Sequence, residues 1–570
     1  MRAISTFLLA FLFFANFAIA DDPLADDPFA DESHEDAYQA LQRLGAKVVM
    51  DRSGTHATVD PRLWQGNPKE LGHIARLSKL TTVNIREAGA TPANVFCIAN
   101  ARTPIEVQIY NCSASDDSMD FLIRACPGLE KIALTGAQLN GNALAILDRL
   151  PNLRHLDLAN NPLKAEPLKH IAVLRKLEYL DISGAEIDAT ALKRISLCYE
   201  LRTLILDDTA LTDDLLPELR RLPNLQRLSI ARTKVTNAGL AALGRLGVVE
   251  LNVSGNKLDD DALLRLATMS TLQQLNMSGV PITDDGLAYL KGSRLRGLNL
   301  TNTLVEGPGL AHLALVDSLT GLTLSKLDAQ AAPHIRRIRS LQSLTLDQTN
   351  MNALVVQDMP TLLELKVTGN CGCLRVANNK NLLNVELADC TIADLFLLDL
   401  PKLSNAVLPG HTDQPSPMIR ALVKHPLPKM NSLTIARTGQ MYLRLGSELD
   451  SFELSDMNNL VFLDLGIAKI QNMHLDSQHV GTMWLGANAF PENDETFFRR
   501  FPFLHTLHLH GAQVDDRVMT RVALSESLRR LHVHKGNVSE QGFRYLRWID
   551  TIEAIESDGE PFDMDKLAHQ

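Results

Sequence analysis

Aromatic residues make up only 5% of this 570-residue chain, and its 67 acidic residues outnumber its 56 lysines and arginines. Few aromatics argue against a surface that stacks nucleic-acid bases, and a formal net charge of −11 argues against a phosphate-binding patch. Beyond the first 20 residues no run of 18 apolar residues occurs, so we expect no membrane span. The sequence therefore disfavours a nucleic-acid partner and a membrane-spanning protein.

Motifs that mark common active sites are also missing. The sequence has no G-x-S-x-G, no H-E-x-x-H, no G-x-G-x-x-G and no P-loop. Its many Ser, His and Asp residues do not identify a catalytic group, because repeated structures present polar side chains in rows. We therefore expect that the protein is not an enzyme.

Residues 1–20 have the layout of a secretory signal peptide. Arg2 precedes an apolar run from about Phe7 to Phe17, and Ala18 and Ala20 fit a small-residue cleavage site. The apolar run is too short to span a bilayer. We therefore predict export to the periplasm or the exterior.

An acidic segment over residues 21–35 follows the signal peptide. Eight acidic residues precede the next basic residue, Arg43; they are Asp21, Asp22, Asp26, Asp27, Asp31, Glu32, Glu35 and Asp36. Like charge and interrupting prolines predict disorder. Calcium binding is an alternative, but a solvated tail is favoured because a flexible segment offers no fixed coordination geometry.

The main signal is a recurring L-x-x-L-x-L pattern. Starts at Leu153, Leu177, Leu201 and Leu225 are separated by 24 residues each. Further copies start at Leu272, Leu295, Leu319, Leu341, Leu460, Leu504 and Leu528. The alternating L-x-L is a short strand with both leucines on one face, and a segment with helical spacing follows it. One such unit cannot bury its apolar face alone, but a stack of units builds a continuous core.

Helix starts recur at one place in these units. Thr283 is predicted as an N-cap, because Asp284 and Asp285 then lie in the first helical turn, where negative charge is favourable. Thr212, Thr236 and Ser539 occupy corresponding positions.

These motifs resemble the leucine-rich-repeat family, in its ribonuclease-inhibitor-like and cysteine-containing branch. The phrase Ile282–Leu287 is similar to that branch's I-T-D-x-G-L, and Cys126–Leu129 and Cys198–Leu201 are similar to its C-x-x-L return. The resemblance covers about residues 51–556. It implies an α/β fold: a right-handed solenoid, or horseshoe, with a parallel sheet on the concave side and helices on the convex side. It also implies protein binding without a shared active site. Members of the branch that serve as ubiquitin-ligase substrate adaptors carry an F-box, and this sequence shows none, so we expect an exported bacterial type without an F-box.

The family also suggests roles for polar residues three positions after the last strand leucine, usually Asn or Cys. Here these positions hold Asn161 or Asn160, Thr209, Thr233, Asn256, Thr303, Thr349, Asn370 and Cys390. Cys112, Cys126, Cys198 and Cys390 lie where the family buries a free thiol. Cys371 is less regular, so a disulfide between Cys371 and Cys390 on the next coil is an alternative that export would permit.

The repeat shortens in the middle of the chain. Starts at Leu319, Leu341, Leu362, Leu382 and Leu403 are separated by 22, 21, 20 and 21 residues. A 20-residue coil has little room for a helix, so extended or 3₁₀ convex segments are expected there. Prolines break the rhythm over residues 409–430, and the register over 433–460 is ambiguous between Leu433/Ile435 and Leu443/Leu445.

The expected domain layout follows from these observations. It is a signal peptide over 1–20, an acidic disordered segment over 21–35, an N-terminal cap over 36–60, an array of 22–25-residue repeats over 61–350, short irregular repeats with an insertion at 409–430 over 351–490, C-terminal repeats over 491–557 and a tail over 558–570.

Histidines on two consecutive strands form the most distinctive cluster. Leu507 and Leu509, like Leu531 and Val533, should point inward, so the alternating histidines should point outward from the concave sheet. The expected pairs are His508 beside His532 and His510 beside His534. Neighbouring strands lie about 4.8 Å apart, so paired imidazoles are candidate ligands for zinc or copper.

The neighbouring repeats extend this cluster into a candidate binding surface. Trp484 should lie in the same row one repeat earlier and Glu553 one repeat later, and Arg530 starts the second histidine strand. A contact surface for a protein or an envelope glycan is favoured over a metal site. A hydrogen-bonding strip at Asn252, Asn276 and Asn299 is a further hypothesis, with an ordinary solvated face favoured. The favoured function is a monomeric, non-enzymatic scaffold without a cofactor, binding a protein partner on the concave face.

Overall fold

A computed structural model describes residues 33–86, 90–327, 331–387, 390–403, 405–407, 429–438, 442–444, 448–455, 462–465, 469–476, 480–486, 496–511, 513–564 and 567. The chain divides into two compact units, unit 1 up to Leu258 and unit 2 from Asp259. The predicted signal peptide, most of the acidic segment and almost all of the 409–430 insertion lie outside the described residues.

Unit 1 alternates strands with short helices. Its strands are β1 Lys47–Asp51, β2 Gly54–Val59, β3 Leu80–Arg86, β4 Glu106–Tyr110, β5 Lys131–Thr135, β6 His155–Asp157, β7 Tyr179–Asp181, β8 Thr203–Ile205, β9 Arg227–Ser229 and β10 Glu250–Asn252. Its α-helices are α1 His34–Arg43, α2 Pro92–Asn100, α3 Asp116–Ala125, α4 Ala165–Leu168, α5 Ala189–Ile195 and α6 Asn237–Leu240. Shorter 3₁₀ helices span Pro68–Arg76, Asn142–Arg149, Lys169–Val173, Leu216–Arg221 and Leu243–Arg245.

The parallel register of unit 1 follows directly from the leucine spacing. β1 and β2 form an antiparallel hairpin, and β2 to β10 then pair in parallel, each with the next. Leu156, Leu180, Leu204 and Leu228 are aligned across four strands, and each is at most 2% exposed. The regularly spaced leucines are therefore the inward side of stacked coils.

Unit 2 repeats this arrangement and then modifies it. Strands that continue the L-x-L rows are β11 Gln274–Asn276, β12 Gly297–Leu300, β13 Gly321–Ser325, β16 Asn384–Glu386, β18 Asn405–Val407, β20 Tyr442–Arg444, β22 Phe462–Leu465, β24 Thr482–Gly486, β25 Thr506–His510, β26 Arg530–His534 and β27 Ala554–Ser557. β28 Glu560–Pro561 pairs antiparallel with β27. The helices are α7 Asp260–Leu266, α8 Leu310–Leu313, α9 Ala332–Ile335, α10 Asp516–Val522 and α11 Glu540–Arg544, with 3₁₀ helices Gly286–Leu290, Phe497–Arg500 and Tyr545–Trp548.

In the short middle repeats, extended chain stands where the helices stand elsewhere. β14 Ser343–Gln357 and β15 Glu364–Ala377 run on beyond their L-x-L segments, with a register shift between Leu346 and Thr349. A second parallel ladder then joins the later halves of β14 and β15 to β17 Cys390–Leu400, β19 Lys429–Thr438, β21 Glu448–Ser455 and β23 Lys469–Asp476. The prediction of extended segments is confirmed, because a strand spans its side of the coil where 20 residues leave no room for a helix.

This ladder also resolves the ambiguous register. Leu433 and Ile435 pair with β17 in the second ladder, whereas Leu443 pairs with Leu463 in the L-x-L ladder. Leu443 is therefore the residue that continues the row of regularly spaced leucines.

Two of the four predicted N-caps are caps. Thr236 Oγ1 accepts from the Ala238 N–H, and Ser539 Oγ accepts from the Gly542 N–H. Thr212 and Thr283 instead precede the 3₁₀ helices Leu216–Arg221 and Gly286–Leu290, which begin later. The N–H and hydroxyl of Thr283 both donate to Asp260 of the preceding coil, at 2.9 and 2.6 Å.

The same contact explains the glycine in the I-T-D-x-G-L phrase. A β-carbon at Gly286 would lie 2.2 Å from Asp260 Oδ1, and one at Gly239 would lie 2.2 Å from Asp213 Oδ1. Asp213 accepts from the N–H and hydroxyl of Thr236, at 2.8 and 2.5 Å. Each coil start is thus tied to the aspartate of the previous coil, and only glycine leaves room for that approach.

Buried polar side chains satisfy the turns after the strands. The Nδ2 of Asn161 donates to the carbonyls of Leu134 and Leu158, at 2.7 and 2.9 Å. Asn256, four repeats later, makes the equivalent contacts to Ile230 and Val253. Asn160, the other candidate, is exposed with a φ of 59°. Asn370 is exposed, and the register places Gly369, not Asn370, opposite Thr349 and Cys390. At the end of the second ladder the fully buried Asn379 donates to the Val356 carbonyl.

All seven cysteines are thiols rather than disulfides. Cys112, Cys126, Cys198 and Cys390 are buried, as expected for the repeat positions. The disulfide between Cys371 and Cys390 is wrong, because the strand register places Cys371 opposite Ile392 and Cys390 opposite Gly369. The Cys390 thiol donates instead to the Val367 carbonyl at 2.7 Å.

Across the described residues, no helix combines the length and apolar character that a membrane crossing requires.

Candidate binding surface

Outward-pointing strand residues line up in rows from coil to coil, and one such row in unit 2 is aromatic. The register aligns Trp484, His508, His532 and Glu556 on β24 to β27. The Trp484 and His508 rings stack with centroids 3.6 Å apart and planes 3° apart. The His508 and His532 rings stack at 4.2 Å and 6°. We call these four residues the C-terminal row.

The fourth member of this row corrects the sequence-based placement. Glu556 lies opposite His532, and its Oε2 is 2.8 Å from His532 Nδ1. Glu553, the predicted neighbour, precedes β27, is exposed and pairs with Arg529 at 3.4 Å. The inward residue of β27 is Ile555, so the outward position after it is Glu556, three residues beyond the predicted Glu553. The constant 24-residue step from Trp484 through His508 and His532 leads to Glu556 and was the missed signal.

Three further predicted residues flank this row: His510, His534 and Arg530. His510 and His534 face each other two positions along the strands, so both predicted histidine pairs are confirmed. The His534 ring is parallel to that of His508 with centroids 5.9 Å apart. Arg530 lies at the start of β26 and is exposed. The structure therefore brings the predicted residues together, except for Glu553.

Burial keeps two of these imidazoles neutral. It lowers the pKa of His508 to about 3, with the positive charges that His532 and His534 would carry as smaller causes. Burial also lowers the pKa of His534, aided by His532 and His510 and opposed by Asp558 and Glu556. A neutral imidazole has one ring nitrogen that donates and one that accepts. His508 Nδ1 and His534 Nε2 are buried polar atoms without a hydrogen-bond partner.

The geometry of the histidines does not favour a metal centre. A ligand nitrogen directs its lone pair within the ring plane, so stacked parallel rings direct their lone pairs side by side instead of toward one ion. Within the described part of the chain, no group of three or more His, Cys, Asp or Glu side chains is arranged to hold a metal ion. The arrangement suits a stacked contact surface better than a zinc or copper site.

A second outward row lies in unit 1, two residues earlier on each strand than the position of the C-terminal row, and it is interrupted. The register aligns His155, Tyr179, Thr203 and Arg227 on β6 to β9. His155 and Tyr179 stack at 3.9 Å with planes 10° apart. Thr203, at the next position, is small. We call these four residues the N-terminal row.

A cleft of about 270 Å³ opens over this row. The N-terminal row forms part of its lining, and the residues immediately before the four strands form the rest: Arg154, Glu178, Arg202 and Gln226. Glu178 lies between two arginines, 2.5 Å from Arg154 and 3.7 Å from Arg202. Arg227 pairs with Glu250 at 2.8 Å. Three arginines and one glutamate give the lining a net positive charge. Sequence reasoning missed this cleft, because only the register shows that Thr203 interrupts a row.

Carboxylates lie one row further along the same strands. Burial raises the pKa of Asp157 to about 6. The hydrogen bond from the Ala159 N–H acts in the opposite direction, and the charge of Asp181 raises the pKa further. Burial likewise raises the pKa of Asp181. Burial also lowers the pKa of His155 to about 4, so the stacked His155–Tyr179 pair is uncharged near neutral pH.

The aspartates and asparagines of this further row have a structural role. Asp181 Oδ1 accepts from the N–H and the hydroxyl of Ser183, at 2.9 and 2.6 Å. Asn252, Asn276 and Asn299 each accept from the N–H two residues on, at 2.9 to 3.1 Å. These are local turns that fix the end of each strand. The side-chain oxygens of the predicted asparagine strip are therefore engaged by their own coil.

Comparisons with known proteins return limited similarity. No protein-family model matches the chain. An 86-residue stretch, 15% of the chain, is 33% identical to acidic leucine-rich nuclear phosphoprotein 32-related protein 2 of Caenorhabditis elegans and spans only 38% of that protein.

Two solved structures are similar over about half of the chain. An internalin of Listeria monocytogenes shares 20% identity over 51% of this chain and 78% of its own, with a TM-score of 0.35. An LRR protein of Leptospira interrogans shares 21% identity over 52% of this chain and 76% of its own, with a TM-score of 0.33. The register within each unit is itself that of an α/β leucine-rich-repeat solenoid.

Proposed function

We propose that this chain is a non-enzymatic scaffold that binds a protein partner through the exposed face of its strands. The observation that carries the proposal is the C-terminal row, in which Trp484, His508 and His532 stack outward over a separate leucine core. Leu507 and Leu509, which alternate with His508, are fully buried and hold the coil together. The aromatic row is therefore not required to fill the core.

Aromatic side chains held in this way are well suited to protein contacts. Tryptophan, tyrosine and arginine dominate binding hot spots, and the two aromatic residues cover a large area with little loss of side-chain freedom. Trp484 is only partly exposed and rests on His508, so its conformation is fixed before a partner binds. Arg530 beside the row and Glu556 at its end provide charged groups, which supports recognition of a polypeptide with mixed polar and apolar side chains.

We further propose that the chain acts outside the cytoplasm as a monomer. The signal-like residues 1–20 support export. The buried thiols of Cys126 and Cys198 at the return positions support assignment to the cysteine-containing, ribonuclease-inhibitor-like branch, without an F-box. Cell fractionation with mass spectrometry of the N-terminus tests export; an uncleaved chain in the cytoplasmic fraction would contradict it.

The binding proposal is tested by partner capture from an envelope fraction. Immobilised protein should retain a defined partner band, and Trp484→Ala should reduce its amount at least tenfold. Tyr289→Ala is the matched control, since Tyr289 is an aromatic residue of the same unit that is 41% exposed on a 3₁₀ helix. Equal capture by wild type and Trp484→Ala, with both variants folded by circular dichroism, would overturn the role of the row.

The metal alternative has a separate test. Elemental analysis of purified wild type is compared with that of a His508→Ala/His532→Ala double variant after incubation with zinc or copper and desalting. The stacked geometry predicts no stoichiometric metal in either sample. One equivalent in the wild type that disappears in the double variant would restore the metal proposal.

A further inference from the structure

We propose that the cleft over Thr203 receives one aromatic side chain of a protein partner, with acidic residues beside that side chain in the partner. The proposal extends the scaffold function to a second site, which lies within unit 1 and shares no residue with the C-terminal row. Both the shape and the charge of the cleft support it.

The shape follows from one small residue in a row of large ones. His155 covers the face of the Tyr179 ring that looks toward β6, at 3.9 Å. The opposite face looks toward Thr203 on β8, and Arg227 follows on β9. Two strand spacings separate β7 from β9, about 9.6 Å, so a single ring placed midway lies about 4.8 Å from Tyr179 and from Arg227. This distance lies within the range of ordinary aromatic stacking.

A ring in this position would complete the row. It would stack on Tyr179 as His508 stacks on Trp484 in unit 2, and Arg227 would cover its other face through a cation–π contact. The volume of about 270 Å³ accommodates one side chain but not a folded segment. A ring on an exposed loop of a partner fits this volume and can lie between Tyr179 and Arg227.

The charge of the cleft selects the neighbours of that ring. Arg154 and Arg202 share a single carboxylate, Glu178, and the three side chains remain 52%, 54% and 36% exposed, respectively. Each guanidinium has five N–H donors, and one shared carboxylate cannot engage all ten. Acidic groups of a partner would therefore find charge-assisted donors on this side of the cleft.

The far side of the cleft sets the orientation. Asp157 and Asp181 lie two positions along the strands from the N-terminal row and do not line the cleft. Their charge repels acidic groups there, so the partner's carboxylates should face Arg154 and Arg202. The structure therefore predicts a directional contact, with the ring inserted and the acids on one side of it.

The test uses synthetic probes and full-length protein. A fluorescein-labelled blocked peptide with one tryptophan between two pairs of glutamates is titrated and followed by fluorescence polarisation. Two matched peptides replace the tryptophan by alanine or the glutamates by lysine. Binding should be at least tenfold tighter for the acidic tryptophan peptide than for either matched peptide.

Variants then locate the site. Thr203→Phe fills the gap with a ring of the chain's own and should weaken binding at least tenfold, whereas Thr203→Ser should leave it unchanged. Thr82→Phe is the control, because Thr82 lies at the same strand position on β3, outside the cleft. Circular dichroism checks that each variant is folded, and Tyr179→Ala provides a second loss if Thr203→Phe fails to fold.

The outcomes separate the two proposals. Unchanged peptide binding by Thr203→Phe and Tyr179→Ala, or equal binding of the alanine peptide, would overturn the cleft as the receptor. Partner capture that still depends on Trp484 would then leave the scaffold function standing. Conversely, capture that ignores Trp484 while the peptide binds at Thr203 would overturn the C-terminal row alone.

Discussion

The N-terminal and C-terminal rows occupy neighbouring outward positions of their strands, and one is interrupted whereas the other is not. His155 lies just before the inward Leu156, and His508 lies just after the inward Leu507. Trp484, His508 and His532 form an unbroken stack that ends at Glu556. In unit 1 the stack stops after His155 and Tyr179, because the next strand contributes a threonine.

This difference teaches how a repeat protein makes local sites from a uniform backbone. Parallel strands present equivalent positions about 4.8 Å apart, which is close to the thickness needed for ring stacking. Large flat side chains at every position produce a closed surface of ring edges. A single small residue among them opens a cleft one ring wide without any change in the backbone.

The largest expected effect tests the part that the two rows share. Leu204→Ala and Leu507→Ala each remove a fully buried inward side chain, and each should lower the free energy of unfolding by about 2–5 kcal/mol. Their outward neighbours, changed in Thr203→Ala and His508→Ala, should cost much less. Urea unfolding followed by circular dichroism measures both. Equal losses of unfolding free energy at inward and outward positions would contradict the interpretation that the outward rows lie over a core of buried leucines.

Acid should separate the two rows. The pKa of His508 is lowered from 6.5 to about 3 in the folded chain, so the unfolded chain binds more protons once the pH falls below about 6.5. Stability is therefore lost downward from that pH, by up to about 2 kcal/mol at pH 5. In unit 1 the pKa of His155 is also lowered, so His155 likewise lowers stability in acid. The pKa of Asp157 is raised to about 6, so the folded chain binds a proton there more readily than the unfolded chain, and this offsets the loss of stability from His155.

The measurement is the urea midpoint at pH 7.5 and at pH 5. His508→Gln should remove most of the acid sensitivity, whereas the exposed His312→Gln should not. Asp157→Asn should make unit 1 more acid-sensitive, since the offsetting group is lost. If the urea midpoint falls equally in His508→Gln and wild type between pH 7.5 and pH 5, the neutral His508 imidazole is not the cause of the acid sensitivity.

Exchanging the residue that distinguishes the rows should give a smaller effect. His508→Thr opens a gap beside Trp484 and should cost about 0.5–1.5 kcal/mol for each pair of stacked rings that it separates. The Trp484 ring then becomes open to solvent on one face, so the fluorescence emission should shift to longer wavelength. Thr203→His should do the reverse in unit 1 and close the cleft. An unchanged emission maximum in His508→Thr would contradict the stacked geometry.

The smallest effect is expected at the end of the C-terminal row. Glu556→Gln removes the exposed partner of His532 and should cost under about 1 kcal/mol, with less effect at high salt. Glu553→Gln serves as the comparison, because Glu553 pairs with Arg529 outside the row. Loss of partner capture in Glu553→Gln but not in Glu556→Gln would favour the sequence-based placement over the structural register.

Sequence reasoning succeeded where one period governs many residues. The spacing from Leu153 to Leu225 predicted the strands, and the 20-residue coils predicted extended segments in the middle, because chain length limits what fits in a coil. It also predicted that His508 would lie beside His532, since both follow the same leucine pattern at a 24-residue step.

It failed where a contact depends on a neighbouring coil or on a weakened pattern. The last coil departs from the leucine pattern, and Glu553 was therefore placed in the row in place of Glu556. Thr283 was assigned as a cap from local sequence alone, whereas the 3₁₀ helix after it begins only at Gly286. Cys371 and Cys390 lie on adjacent strands but two positions out of register, which spacing through an irregular repeat does not reveal.

By itself, the sequence determined a stack of coils with leucines inward and polar or aromatic residues outward, because burial of apolar surface acts through a period that can be counted. Only the tertiary structure decided which outward residues meet: that His508 stacks between Trp484 and His532, that Glu556 ends the row, and that Thr203 leaves a cleft. These contacts join residues about two dozen positions apart, so they depend on the exact length of each coil and on the size of the side chains that the register brings together.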